Sequence, residues 1–211
     1  MSAQAAGDVV AHYERQLARF GPTPEGMDWK DAVSQRLRFA ALCDLPRLAG
    51  CSLHEVGAGA GHLFDYLEAR DLRVDYSGSD LSPAMVEAAR ERLPQVRFDR
   101  LDILEGGAER RYDWVFCSGV FHVKLDHDEA EWWAFVAAMI RRMFELCRVG
   151  IGFNLMSNRV DFRNPLLFYA DPPTVLDFCL NELGRFARLQ HHSELHEFTV
   201  HVYRRSEQTF R

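Results

Sequence analysis

Residues 53–67 read LHEVGAGAGHLFDYL: a short strand-like run ends in Gly57, Gly59 and Gly61, and an amphipathic helix opens directly behind them. Glycines let the main chain turn tightly and approach a ligand closely, while the helix N-terminus points amides at it. The spacing is G-x-G-x-G, with His62 where a dinucleotide-binding fingerprint carries its third glycine. Glu55 stands two residues ahead of Gly57, at the carboxyl end of the strand and beside the place a pyrophosphate would take. At ~5 Å and an effective dielectric of ~20, one like-charge contact there costs about 3 kcal/mol before screening. The loop therefore selects against an anion and in favour of a ligand with an ammonium group and a cationic sulfur.

Working outward, short β-rich runs alternate with amphipathic helices, as in a parallel sheet with crossover helices. Strands are expected near 51–56, 73–79, 96–101, 112–118 and 148–156, and helices near 60–70, 82–92 and 128–146. The second of these helices opens with Ser82 as N-cap and Pro83 at its first position. Only 102–111 separates the third and fourth strands, so a short helix or bare loop must cross there. Residues 157–173 form a long irregular segment of the kind that carries binding, followed by a helix from Asp171 to about Leu183. Two β-runs, 186–192 and 197–203, then predict an antiparallel hairpin.

Three acids fall at the carboxyl ends of strands, the ligand face of an open α/β sheet. Besides Glu55 they are Asp80, 23 residues after Gly57 and placed to accept both ribose hydroxyls, and Asp102, which with Ile103 meets the edge of an adenine. Ahead of the sheet, Val9, Val10, Tyr13, Leu17 and Phe20 recur at helical spacing up to Gly21, and Trp29, Val33, Leu37 and Leu42 mark a second helix. The expected organisation is a single domain over 1–211, with 1–48 a helical cap or lid and 49–211 the cofactor-binding core.

EVGAGAG (55–61), SGSDLSPAMVEAAR (77–90), RFDRLDIL (97–104) and YDWVFCSGVFHV (112–123) together resemble the class I, Rossmann-like S-adenosylmethionine-dependent methyltransferases. The resemblance runs in layout from about residue 50 to 204. It implies an α/β fold with a seven-stranded, mostly parallel sheet of order 3-2-1-4-5-7-6 that ends in an antiparallel hairpin. It further implies S-adenosyl-L-methionine as cofactor and S-adenosyl-L-homocysteine as product. By position, Glu55, Gly57, Ala58 and Gly59 then line the methionine part, Asp80 the ribose, Leu81 and Met85 the adenine face, and Asp102 and Ile103 the adenine edge. Ser118 completes the cofactor site after the fourth strand. Two family features are replaced: the Pro-Gly-Gly turn before strand 5 reads ELCRVGIG (145–152), and the strand-4 tetrapeptide of many nucleic-acid N-methyltransferases is absent.

His122, just after strand 4, is the candidate catalytic base, since an imidazole titrating near neutrality can take a proton from a hydroxyl. Arg38, one turn from Gln35 on the cap, is the candidate partner of the cofactor's carboxylate. Tyr13, Trp29, Phe168 and Tyr169 are candidate pocket walls, and Asn154 and Asn158 candidate polar contacts. His191, His192, His196 and His201 alternate faces without a ligand pattern of acids, so no metal is expected. With 25 basic against 31 acidic side chains, formal charge −6, the basic footprint of a nucleic-acid binder is missing and a small-molecule substrate is expected. Five scattered cysteines read as reduced thiols. Asp8 and Glu14 interrupt any signal-peptide core, and no apolar run reaches the ~20 residues of a bilayer span, so no membrane partner and a cytoplasmic location are expected. The expected activity is methyl transfer to a small molecule at oxygen or nitrogen. The alternatives are a non-catalytic S-adenosylmethionine-binding partner subunit and an NAD(P)-dependent oxidoreductase.

Overall fold

Glycine and Ser-Pro breaks cut the chain into strand–helix units, each returning to one sheet. The computed structural model describes residues 3–45, 47–106 and 110–205. Two helices, α1 (Ala3–Phe20) and α2 (Ala32–Leu42), precede β1 (Ser52–Val56), α3 (His62–Glu68), β2 (Asp75–Asp80), α4 (Pro83–Arg92), β3 (Arg97–Arg100) and β4 (Tyr112–Cys117). Then follow α5 (Glu129–Leu146), β5 (Cys147–Ser157), β6 (Tyr169–Ala170), α6 (Pro172–Glu182), β7 (Phe186–His192) and β8 (Glu197–Tyr203). The sheet order is β3-β2-β1-β4-β5-β8-β7, with β1 to β5 parallel and β8 antiparallel to both β5 and β7. This is the expected Rossmann-like order, with one addition: β6, cut from the long irregular segment, pairs with the end of β5.

Side chains on a strand alternate faces, so each central strand feeds two cores. On one face Val115, Cys117, Ile151 and Phe153 pack under Trp132, Val136, Ile140 and Met143 of α5. On the other, Leu53, Trp114, Phe116 and Phe98 pack against Leu42 of α2, Leu63 and Leu67 of α3, and Val86 and Ala89 of α4. Caps fix the helix starts: Asp31, Ser82, Asp128 and Asp171 each accept a main-chain N–H of the first turn. The missing Pro-Gly-Gly turn leaves α5 running straight into β5, with Cys147 closing the helix through its N–H to Met143 O.

The second cap helix departs from expectation. Trp29 lies before α2, and Val33 and Leu37 face solvent, 58% and 42% exposed; Gln35, Phe39, Ala41 and Leu42 are the buried ones. Gln35 takes its inward position beside the cavity, against the His62 ring, while Phe39 and Leu42 join the core. The predicted crossing between β3 and β4 shows no helix among the described residues, and 107–109 lie outside them. All five cysteines are free. No helix among the described residues is long and apolar enough to cross a membrane.

Candidate active site

The sheet order reverses between β1 and β4, and in such sheets ligands bind at the carboxyl ends where the reversal opens a crevice. A cavity of about 490 Å³ lies there, roofed by α1, α2 and the segment between them. Its size is that of a small-molecule site. Of the twelve residues expected at the site, all line it: Glu55, Gly57, Ala58, Gly59, Asp80, Leu81, Met85, Asp102, Ile103, Ser118, His122 and Arg38.

The glycine loop is built for close approach. Gly57, Gly59 and Gly61 have φ of +71°, +52° and +81°. A Cβ on Gly57 would collide with Val120, and one on Gly59 would sit 2.6 Å from Met27 Sδ. Asp80 ties this loop to the next turn: Oδ2 accepts from Gly59 N and Oδ1 from Ser82 N, both at 2.9 Å. Burial raises the Asp80 carboxyl above the usual range against the pull of those amides. Asp102 Oδ1 accepts from Leu104 N at 2.8 Å, shaping the turn after β3. Ile103 and Met85 are 1% and 2% exposed and give apolar walls.

Glu55 is buried and accepts a hydrogen bond from the Tyr76 hydroxyl on β2. Desolvation pushes its carboxyl up to about 8, from an ordinary value near 4.5. The acid is therefore largely neutral until a cation faces it. Because the folded value lies above the unfolded one, Glu55's contribution to stability is full below pH 4.5 and is lost as pH rises through 8. Melting curves from pH 5 to 8.5 should show wild type losing ground to Glu55→Gln as pH rises. A pH-independent difference would mean that Glu55 is ionised in the folded state.

On the other side of β1, β4, β5 and β8 contribute a second set. Glu197 on β8, 1% exposed, receives Arg38 Nε and Nη2 on Oε1 and Asn154 Nδ2 on Oε2. Asn154 Oδ1 in turn holds Gly119 N at 3.0 Å. His122 is 6% exposed, and its Nε2 lies 3.9 Å from Glu197 Oε2 without a hydrogen-bond partner. Arg38 Nη1 and Ser118 Oγ are likewise buried and unpartnered. Arg38 packs over the Trp29 ring, and Trp29 meets His122 edge-on.

The sequence did not single out Glu197, Met27 or Gly119. Glu197 is in an ordinary alternating strand, and only the pairing of β8 with β5 brings it to the site. Arg38 was expected to be free for a ligand, but two of its donors are taken by Glu197 because that buried carboxylate needs a cation. Tyr13 and Trp29 do line the cavity, whereas Phe168 and Tyr169 do not. Phe168 stacks on Trp133 in the core, and the Tyr169 hydroxyl accepts from Asn164 N. Asn158 binds Asp171 instead. His191 pairs with Ser157 Oγ and His201 with Leu42 O, so both are structural contacts.

A glycine loop, strand-end acids and a cavity at the switch point define a Rossmann-like protein that binds a nucleoside-bearing cofactor. A family model described as a methyltransferase domain matches residues 54–145. "Putative methyltransferase Rv1506c" of Mycobacterium tuberculosis is 35% identical over 153 residues, covering 72% of this chain and 92% of that protein. A trans-aconitate 2-methyltransferase of Methylobacterium radiotolerans is 31% identical over 130 residues, 58% of this chain and 46% of its own length. The crystal structure of the N-methyltransferase NodS from Bradyrhizobium japonicum WM9, in complex with S-adenosyl-L-homocysteine, aligns with a TM-score of 0.61 at 15% identity. That alignment covers 92% of this chain and 97% of NodS. The chain belongs to the class I S-adenosylmethionine-dependent methyltransferases. It is an enzyme of that type, with S-adenosyl-L-methionine as its cofactor, and the oxidoreductase alternative gives way to this assignment.

The residues present fit that cofactor. The cavity offers unpartnered buried donors at Arg38 Nη1 and Ser118 Oγ, and acids at Glu55 and Asp80 for cationic and hydroxyl groups.

Proposed function

We propose that this enzyme methylates a small-molecule acceptor at oxygen or nitrogen, with His122 taking the acceptor's proton. The observation that carries the reading is the state of the His122 ring. Its Nε2 is buried and without a hydrogen-bond partner in a residue that lines the cavity, 3.9 Å from Glu197 Oε2. A ring that donates from one nitrogen offers a lone pair at the other. Burial lowers its pKa, opposed by Glu197 and helped by Arg38, so the ring is neutral and able to accept a proton near pH 7.

Glu55 would face the cofactor's ammonium, Arg38 through Nη1 its carboxylate, and the Gly57–Gly59 stretch, Ala58 included, the methionine backbone. Asp80 would take the ribose hydroxyls, Leu81 and Met85 the adenine face, and Asp102 with Ile103 the adenine edge. Ser118 would offer its hydroxyl beside them. When bound, the cofactor supplies an electrophilic methyl group on its sulfonium. His122 then receives the proton of the attacking hydroxyl or amine at Nε2, while the surrounding walls align the acceptor and keep water out. His122→Ala should keep its S-adenosylhomocysteine affinity within about threefold while losing about 100-fold or more of kcat/KM for a hydroxyl acceptor. An acceptor is found by screening hydroxyl and amine compounds for homocysteine release. Unchanged kcat/KM would leave alignment as the whole of catalysis.

Residues 1–48 are proposed to act as a lid on the 49–211 core. Ser82 Oγ donates to Glu14 on α1 at 2.7 Å, and Ala60 N meets Met27 Sδ at 3.3 Å, so the cap rests directly on the cofactor loops. Deleting 1–27 should leave the far-UV circular dichroism of the sheet intact while abolishing turnover. Loss of folding would show that these residues are part of the core instead.

A further inference from the structure

We propose that Glu197 makes the acceptor end of the cavity selective against carboxylates, so that the acceptor's reacting end is an uncharged hydroxyl or an amine. This rests on the reading of the His122 side as the acceptor side. The sheet itself divides the cavity: Asp80 and Asp102 follow β2 and β3, whereas His122, Asn154 and Glu197 belong to β4, β5 and β8 on the opposite side of β1.

An acidic acceptor needs a cation with two donors free, and Arg38, its side chain 11% exposed, lines this end of the cavity. Its Nε and Nη2 edge is already closed on Glu197 Oε1. The chain has placed its own carboxylate where a substrate's carboxylate would go. The second oxygen of Glu197 is held by Asn154 and lies 3.9 Å from His122 Nε2, the atom nearest which the acceptor must react. A carboxylate brought to His122 would therefore meet a fixed like charge, 1% exposed and shielded from water, with the two-donor edge of Arg38 already engaged. A hydroxyl or amine meets instead an acceptor lone pair on His122 beside a negative charge that favours the imidazolium formed by proton transfer. The other charged lining residues nearby, Asp28 and Lys30, are exposed to solvent, which screens them, and Asp28 is engaged by His12 and Gln16.

The experiment titrates trans-aconitate, a tricarboxylate, into protein saturated with S-adenosylhomocysteine, followed by calorimetry. Wild type should show no binding up to millimolar concentration. E197Q, which releases the two-donor edge of Arg38, should bind it at least tenfold more tightly, and R38Q/E197Q, titrated at an S-adenosylhomocysteine concentration shown to saturate that variant, should lose that gain. Binding by wild type, or E197Q no better than wild type, overturns the proposal. Should E197Q not fold, the wild-type and double-variant titrations decide, since binding by either is the overturning result. If wild type fails to bind S-adenosylhomocysteine, the cofactor-site reading falls and takes this inference with it; cofactor binding with carboxylate binding overturns this inference alone.

Discussion

Asp80→Ala should bind S-adenosylhomocysteine at least 100-fold more weakly than wild type, with the fold intact. Asp80 is proposed to accept the ribose hydroxyls, and charge-assisted hydrogen bonds contribute ~1.5–3 kcal/mol each. Two such bonds amount to about 3–6 kcal/mol, where 1.4 kcal/mol is tenfold. The same carboxylate fixes the loop that must receive the cofactor, through Gly59 N and Ser82 N. Removing it therefore loosens the loop as well as the ribose contact. Burial already opposes ionisation of this acid, so the substitution relieves a desolvation cost that offsets part of the cost of leaving the Gly59 and Ser82 amides without their partner, and the fold should hold. Calorimetric titration beside a thermal melt separates the two effects. Wild-type affinity in the variant would mean that Asp80 only shapes the turn, and a collapsed melt would mean that the turn is essential to the core.

Gly61→Val should be the most destabilising single change in the glycine loop, by about 3–5 kcal/mol. Gly61 has φ of +81°, a region that is steeply unfavourable for a β-branched side chain. A Cβ there would lie 2.7 Å from Phe98 Cζ and 2.9 Å from Leu93 Cδ1. Phe98 and Leu93 are 3% and 7% exposed members of the core under α4, so neither can withdraw without opening a gap. Urea denaturation should show a lowered midpoint with an unchanged slope. Gly57→Val differs in kind. There the obstacle is Val120, which lines the cavity, so the loss should fall on cofactor binding more than on the midpoint.

Glu55 links the two. If Glu55 faces the cofactor's ammonium as proposed, its carboxyl, pushed up to about 8 by burial, should release a proton on binding at neutral pH. S-adenosylhomocysteine titrations in buffers of different ionisation enthalpy should give apparent binding heats that scale with the buffer. Heats independent of buffer would place the ammonium elsewhere.

The parallel sheet, the glycine turn and the three strand-end acids were legible in the sequence because each obeys a local rule. Strands alternate, Ser82-Pro83 opens a helix, and positive φ selects glycine. The residues those rules single out lie around one cavity, since in an open α/β sheet the chain delivers every strand's carboxyl end to the same edge. Local rules failed where a residue's partner is distant in the chain. Val33 and Leu37 read as an inward apolar face, yet α2 turns Gln35 inward, where it meets the His62 ring, and Phe39 into the core.

Glu197 shows the limit most plainly. It lies 159 positions from Arg38 and 43 from Asn154, and no periodicity marks it. It reaches the site only because β8 pairs antiparallel with β5 in the register Met156–Glu197. A one-residue slip would send its side chain to the other face of the sheet. The sequence by itself determined the fold class, the glycine loop and the acids around it, because those follow from nearest-neighbour geometry repeated along the chain. Tertiary structure alone decided which charges meet beside His122, because strand register and the seating of the cap on the sheet are set by packing between segments far apart in the chain.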